Sequence, residues 1–157
     1  MEVYLIRHGI AEIQSTTGQD DDRALSEEGR KKTRQVAERL LKLDVQLDLL
    51  LVSPLLRARQ TAQVLVQVGL AKTIEIFTPL APGGTCAELR ERLSRHDAAS
   101  AGLVGHQPGL GLWAEELIWG IPQTGLEIKK AGVVRIELSQ HAPGRLIWLL
   151  TPKVLLA

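Results

Sequence analysis

The chain has 157 residues and one cysteine, Cys86; this length fits one compact domain that buries roughly two-thirds of its unfolded surface, and a lone cysteine excludes an internal disulfide or a multi-cysteine zinc site. Hydrophobic residues make up 45% and charged residues 24%, ordinary for a soluble globular protein, and no apolar run approaches the ~20 residues that span a bilayer. A net charge of +1 gives no general pull toward nucleic acid or an anionic membrane, so any anion site must be local.

Residues 2–7 are short and largely apolar, which fits a buried first strand. They carry no basic leader or small-residue cleavage signal, so the cytoplasm is the expected compartment. Residues 8–24 are polar and irregular and read as a loop, with the run Asp20-Asp21-Asp22 as a solvated turn. From Ser26 to about Leu43 the spacing is helical: Thr33, Val36, Ala37, Leu40 and Leu41 share a face, Ser26 suits the N-cap, and Glu27 and Glu28 suit the positive helix end. Residues 47–52 are a second strand. Ser53-Pro54 then predicts a helix start, serine as cap and proline at the first position, with Gly69 ending the helix after Val68.

Residues 73–77 form a β-prone run, followed by a loop rich in proline and glycine. Thr85-Cys86-Ala87-Glu88 has capping-box form and predicts a helix to about Arg95. A short strand follows at 101–105, then the turn His106-Gln107-Pro108-Gly109 and a helix carrying Leu110, Trp113, Leu117 and Ile118. Strands at 133–138 and 145–150 flank a hairpin connection, His141-Ala142-Pro143-Gly144. Trp113, Trp119 and Trp148 are expected to pack in the core or at its edge. Strands alternating with helices predict an α/β domain: a three-layer α/β/α sandwich on a mainly parallel sheet, made mixed by an antiparallel final pair.

Three reactive groups share one topological position. Arg7-His8 follows the first strand, Ser53 and Arg57 the second, and His106 the strand at 101–105. Ligands of open α/β sheets bind outside the carboxyl ends of the strands, so parallel strands bring all three to one edge. Two histidines, two arginines and a helix N-terminus make a compact cationic pocket suited to a phosphoryl group. The arginine fork makes paired charge-assisted bonds to its oxygens, and free helix N–H groups add to them. A neutral histidine is a nucleophile when one ring nitrogen is unprotonated and the other donates to a fixed acceptor. Nearby arginines discourage its protonation.

Leu5-Ile6-Arg7-His8-Gly9 resembles the Arg-His-Gly signature of the histidine phosphatase superfamily, also called phosphoglycerate-mutase-like. The blocks Leu25-Ser26-Glu27-Glu28-Gly29, Val52-Ser53-Pro54-Leu55-Leu56-Arg57-Ala58-Arg59-Gln60-Thr61-Ala62 and Val104-Gly105-His106-Gln107-Pro108 follow in family order and frame nearly the whole chain. The short chain and the His-Gln-Pro block look most like the SixA-type protein phosphohistidine phosphatases. The resemblance implies that His8 is transiently phosphorylated, that Arg7 and Arg57 hold the phosphoryl oxygens, and that His106 donates to the phosphoryl group. Ser53 would shape the pocket. Water would release phosphate, and no metal or organic cofactor is implied. The implied substrate is a phosphorylated protein histidine, as on a histidine phosphotransfer domain.

One departure from the larger members bears on the substrate. Residues 78–84, where they place an acidic proton donor, carry no carboxylate here. Glu88 is the next acid and reads first as the capping partner of Thr85. An alkoxide leaving group needs an acid, whereas a leaving imidazole carries its own proton near neutral pH. The missing acid therefore points to an N–P bond. A small-molecule phosphomonoesterase is the alternative, favoured if Glu88 or an acid of residues 20–22 faces the pocket. A silent phosphoprotein-binding module is a third reading, opposed by the retained histidines. A mutase must shield its phosphoenzyme, and the chain is short for a covering insertion. Arg23 is a candidate for the pocket rim, with the open surface as its alternative. Arg59 reads as a surface residue. Cys86, near a helix start, reads as inert rather than activated.

Overall fold

The computed structural model describes residues 1–140 and 143–157. In chain order it contains β1 (Glu2–Arg7), α1 (Glu27–Lys42), β2 (Leu49–Val52), α2 (Leu56–Val68), β3 (Glu75–Ile76), α3 (Cys86–Ser94), β4 (Ser100–Gly105), α4 (Gly109–Trp119), β5 (Val133–Glu137), β6 (Arg145–Leu150) and α5 (Pro152–Leu155). Among the described residues, six strands form one sheet ordered β3-β2-β4-β1-β5-β6. β1, β4, β2 and β3 pair in parallel. β5 runs against β1, and β6 against β5. Of the two final strands expected to run against the sheet, β5 does so, but a second reversal returns β6 to the direction of the first four strands.

Successive side chains of a strand face opposite ways, so β1 feeds two cores. Val3 and Leu5 pack with α3 and α4, through Leu89, Leu93, Trp113 and Leu117. Tyr4 and Ile6 pack with α1 and α2, through Val36, Leu40, Ala62 and Leu65. A strand with apolar residues on both faces belongs at the centre of a parallel sheet covered on each side, and β1 and β4 lie there.

α1 begins as its sequence suggests, with Ser26 Oγ accepting from the Gly29 N–H at 2.9 Å. Gly29 also permits a close approach: a Cβ there would lie 1.9 Å from the Ile10 carbonyl oxygen. The helix is thereby seated on the chain just past β1. α3 has the expected capping box of Thr85 and Glu88.

Other boundaries differ from expectation. α2 starts at Leu56, because Leu55 is still extended and no side chain caps it. Ser53 is therefore not a helix cap, although its Oγ accepts from the Leu55 N–H at 3.3 Å. β2 starts at Leu49, leaving Leu47 in an isolated bridge to Ala71. β3 shrinks to two residues at the sheet edge, where β2 is its partner. α5 was not expected; the Thr151 side chain caps it and Leu155 is buried in the α1–α2 layer. Trp113 is buried, but Trp119, at the solvent end of α4, is half exposed. Tyr4 and Trp148 pack with ring centroids 6.0 Å apart. The β5–β6 connection includes His141 and Ala142, which lie outside the described residues. No helix among those described is long and apolar enough to cross a membrane.

Candidate active site

Parallel pairing aligns the ends of three strands. Arg7 lies opposite Gly105, and Val52 opposite Val104. The next residues out remain tied to the sheet: the His8 N–H donates to the Gly105 carbonyl at 3.1 Å, and the Ser53 N–H to the Val104 carbonyl at 3.0 Å. His8, Ser53 and His106 thus emerge together, with β4 in the middle. The two imidazole centroids are 5.1 Å apart, tilted by 51°. His8, His106, Arg57 and Ser53 are all buried, and Arg7 is half-buried.

The state of His8 is set by its partner. Its Nδ1 lies 2.7 Å from the Gly9 carbonyl. A carbonyl can only accept, so Nδ1 carries the proton in the neutral ring and Nε2 keeps a lone pair. Burial pushes the His8 imidazole down to about 3; His106, Arg57 and Arg7 push the same way, against the Gly9 carbonyl. The ring is therefore neutral at ordinary pH. His106 is lowered to about 4, first by burial and then by Arg57, while Asp20 pulls it upward. His106 Nε2 and Ser53 Oγ share a hydrogen bond of 2.7 Å.

The loop carrying His8 is held by residues whose roles the linear pattern did not reveal. Thr61 Oγ1 accepts from the Gly9 N–H at 3.1 Å and donates to the Arg57 carbonyl at 2.8 Å. Gln60 Oε1 accepts from the Leu25 N–H at 2.7 Å. Thus Gln60 and Thr61, inside the arginine-bearing block, join α2 to the loop after β1. Arg7 Nη1 donates to the Ile128 carbonyl at 2.8 Å. The segment around Ile128, which had no recognisable pattern, is fixed by Gln107 Nε2 on the Leu126 carbonyl at 2.8 Å. Glu115 adds to this, accepting from the Gln123 and Gly125 N–H groups at 2.6 and 2.9 Å.

The acidic run departs from its expected role. Asp20–Asp22 is a 3₁₀ turn, and Asp20 is more than solvated. Arg57 Nη1 donates to the Asp20 carbonyl at 2.9 Å, and Nη2 to its carboxylate at 3.0 Å. Arg23 Nε bonds the other carboxylate oxygen at 2.8 Å, and Arg23 Nη1 bonds the Glu12 carbonyl at 3.0 Å. Arg23 therefore stands at the rim, engaged with Asp20. Arg23 first, then Arg57, holds the Asp20 carboxyl below the usual carboxylate range. This acid reaches the site, but as a carboxylate without a proton to give. Glu88 is exposed and bonded to Thr85. Burial pushes the Cys86 thiol up to about 11, consistent with an inert side chain, and Arg59 is exposed.

Three buried nitrogens of this cluster, Arg7 Nε, Arg57 Nε and His106 Nδ1, have no hydrogen-bond partner within the protein. Unpaired buried polar nitrogens are uncommon and call for a partner outside the protein, a water or a ligand. A cavity of about 510 Å³ opens beside His106, between residues 79–87 and the start of α4. Pro79, Leu80, Pro82, Leu110 and Trp113 line it, and none of its described lining residues is Lys or Arg.

Two neutral imidazoles lie among guanidinium groups at the carboxyl ends of the parallel strands, a set of groups suited to a phosphoryl group. Residues 3–80 match the model of the histidine phosphatase superfamily, branch 1, a span that includes Arg7, His8, Ser53 and Arg57 but stops short of His106. The chain is 41% identical over 166 residues to an uncharacterized protein of Picosynechococcus sp., covering 99% of each. It is 27% identical over 156 residues to the phosphohistidine phosphatase SixA of Escherichia coli K12, covering 97% of this chain and 94% of that one. The solved structure of the protein histidine phosphatase SixA complexed with tungstate superimposes with a TM-score of 0.88, at 27% identity and 98% coverage of both chains. The alpha-ribazole phosphatase of Shigella flexneri shares the fold, with a TM-score of 0.76 at 19% identity and 97% coverage of both. The chain belongs to the histidine phosphatase superfamily and is a phosphatase.

Proposed function

We propose that this phosphatase removes the phosphoryl group from a phosphorylated protein histidine by way of phosphohistidine at His8. The observation that carries this reading is the 2.7 Å bond from His8 Nδ1 to the Gly9 carbonyl, which leaves Nε2 unprotonated among cationic neighbours. In the first step the Nε2 lone pair attacks phosphorus, and the substrate N–P bond breaks. Its electron pair returns to the leaving imidazole, which departs neutral when its nitrogen carries a proton. In the second step a water oxygen attacks phosphorus, the bond to Nε2 breaks, the water proton passes to solvent, and phosphate leaves. Arg7 and Arg57 hold the equatorial oxygens, whose charge must be stabilised in both steps. His106 donates to them, and Ser53 orients its ring.

An N–P substrate is favoured because Asp20, the carboxylate bonded to Arg57, is held ionised by two guanidinium groups and cannot protonate an alkoxide. The cavity beside His106 offers no cation to a second phosphate or a carboxylate on the leaving group. An apolar face of a histidine-bearing protein, such as a histidine phosphotransfer domain, suits it better. SixA, the E. coli relative, is a phosphohistidine phosphatase. A cytoplasmic location accompanies this proposal.

The test compares kcat/KM on a phosphorylated histidine peptide with that on an alkyl phosphate, and traps labelled enzyme by rapid acid-free quench. A large preference for the phosphoramidate and a label lost in His8→Ala are expected. Preference for the alkyl ester would transfer the enzyme to small-molecule esters, and wild-type enzyme that never carries label would refute the covalent route.

A further inference from the structure

Arg57 is 5% exposed, and its terminal nitrogens find protein acceptors only on Asp20, among the described residues. A guanidinium has five N–H donors in a rigid fork with more than one usable edge. Asp20 takes the end edge, one donor from each terminal nitrogen. The side edge, formed by Nε and Nη2, stays open, and Nε is buried without a protein partner. Asp20 and a phosphoryl group can therefore hold Arg57 at once, on different edges, with no need to compete.

We propose that Asp20 is a positioning residue of the phosphoryl site, clamping the end of Arg57 so that its Nε edge is presented to the phosphoryl oxygens. This rests on the reading that Arg57 binds those oxygens. Arg23 completes the device from outside: its Nε takes the second carboxylate oxygen, and its Nη1 ties the loop to the Glu12 carbonyl. The clamp thus has an anchor independent of Arg57. Without it, a buried arginine with one open edge could swing, and misplacement by about 1 Å at a reacting centre can cost roughly 100-fold. Asp20 itself is exposed on its outer side, so its removal does not threaten the core.

The experiment is a double-mutant cycle on the full chain, with kcat and KM for acetyl phosphate or a phosphorylated histidine peptide, and tungstate as an inhibitory oxyanion. Asp20→Ala should lower kcat by about tenfold or more, measured well below its melting temperature, which falls because buried Arg57 loses its carboxylate partner. Asp20→Asn, which keeps a side-chain acceptor for Arg57 Nη2 beside the main-chain carbonyl that both variants retain, should recover part of the loss. In the Arg57→Ala background, Asp20→Ala should change kcat less than about twofold, as residues acting through one another are non-additive. Wild-type kcat in Asp20→Ala, or a loss that persists in full without Arg57, overturns the proposal. Tighter tungstate inhibition with faster turnover overturns it too, making Asp20 a plug on Arg57. Normal turnover in Arg57→Ala alone would instead reject the role of Arg57, a distinct result.

Discussion

Acidification should weaken this fold in a way traceable to His8. In the unfolded chain its imidazole titrates near 6.5, whereas in the folded site burial and the neighbouring cations lower it to about 3. Between those values the unfolded state binds the proton and the folded state does not. Stability is therefore fully present above about pH 6.5 and is lost as pH falls toward the folded value. Each pKa unit is worth about 1.36 kcal/mol, so at about pH 5 the buried ring costs about 2 kcal/mol relative to about pH 8. Any folded value below about 4 yields the same figure at that pH, because the folded ring is then uncharged. The assay is urea denaturation across that pH range for the wild type and His8→Asn. A constant stability offset cancels, and the variant should lose about 2 kcal/mol less than the wild type on acidification. Two curves that fall in parallel would show that His8 titrates normally, and would remove the argument for a neutral nucleophile held by burial.

Other perturbations probe the remaining parts. Arg7→Ala or Arg57→Ala should reduce kcat/KM by ~100-fold or more, the loss of a transition-state donor; normal steady-state kinetics in either would reject its role. Ser53→Ala removes the oxygen shared with His106 Nε2 and should cost about tenfold in kcat, the worth of one buried hydrogen bond, with Ser53→Thr closer to wild type. Gly29→Ala drives a Cβ to 1.9 Å from the Ile10 carbonyl oxygen; both are held by backbone, so thermal unfolding should report a loss of about 3 kcal/mol or more. Gly109→Ala, at the start of α4 with open space around its Cβ position, should instead be neutral or stabilising by up to about 1 kcal/mol.

Local patterns reach far in this protein. The doubly apolar run of β1, the Ser26 cap and the Thr85–Glu88 capping box depend on neighbours within a few residues, so the chain order alone carries them. The site was legible for a related reason. Arg7, His8 and His106 each lie at or just beyond the end of a strand, and Arg57 lies in the first turn of the helix that follows β2; parallel strands deliver such residues to one edge. Ser53 reads both as a helix cap and as a residue that shapes the pocket; it caps no helix, and its Oγ lies 2.7 Å from His106 Nε2.

Tertiary structure decided everything that depends on partners distant in sequence. Pairing partners determine the direction of β6 and the shortening of β3, since the residues within each strand allow either direction or length. The clamp of Asp20 on Arg57 spans 37 positions, and the bond from Arg7 to the Ile128 carbonyl spans 121. Neither leaves a local mark, because a carboxylate in a polar loop looks solvated until a buried guanidinium is folded against it. The pKa of His8 is of the same kind. The linear order names the imidazole, but exclusion of water and the convergence of three cationic or imidazole neighbours make it neutral, and those exist only in the folded chain.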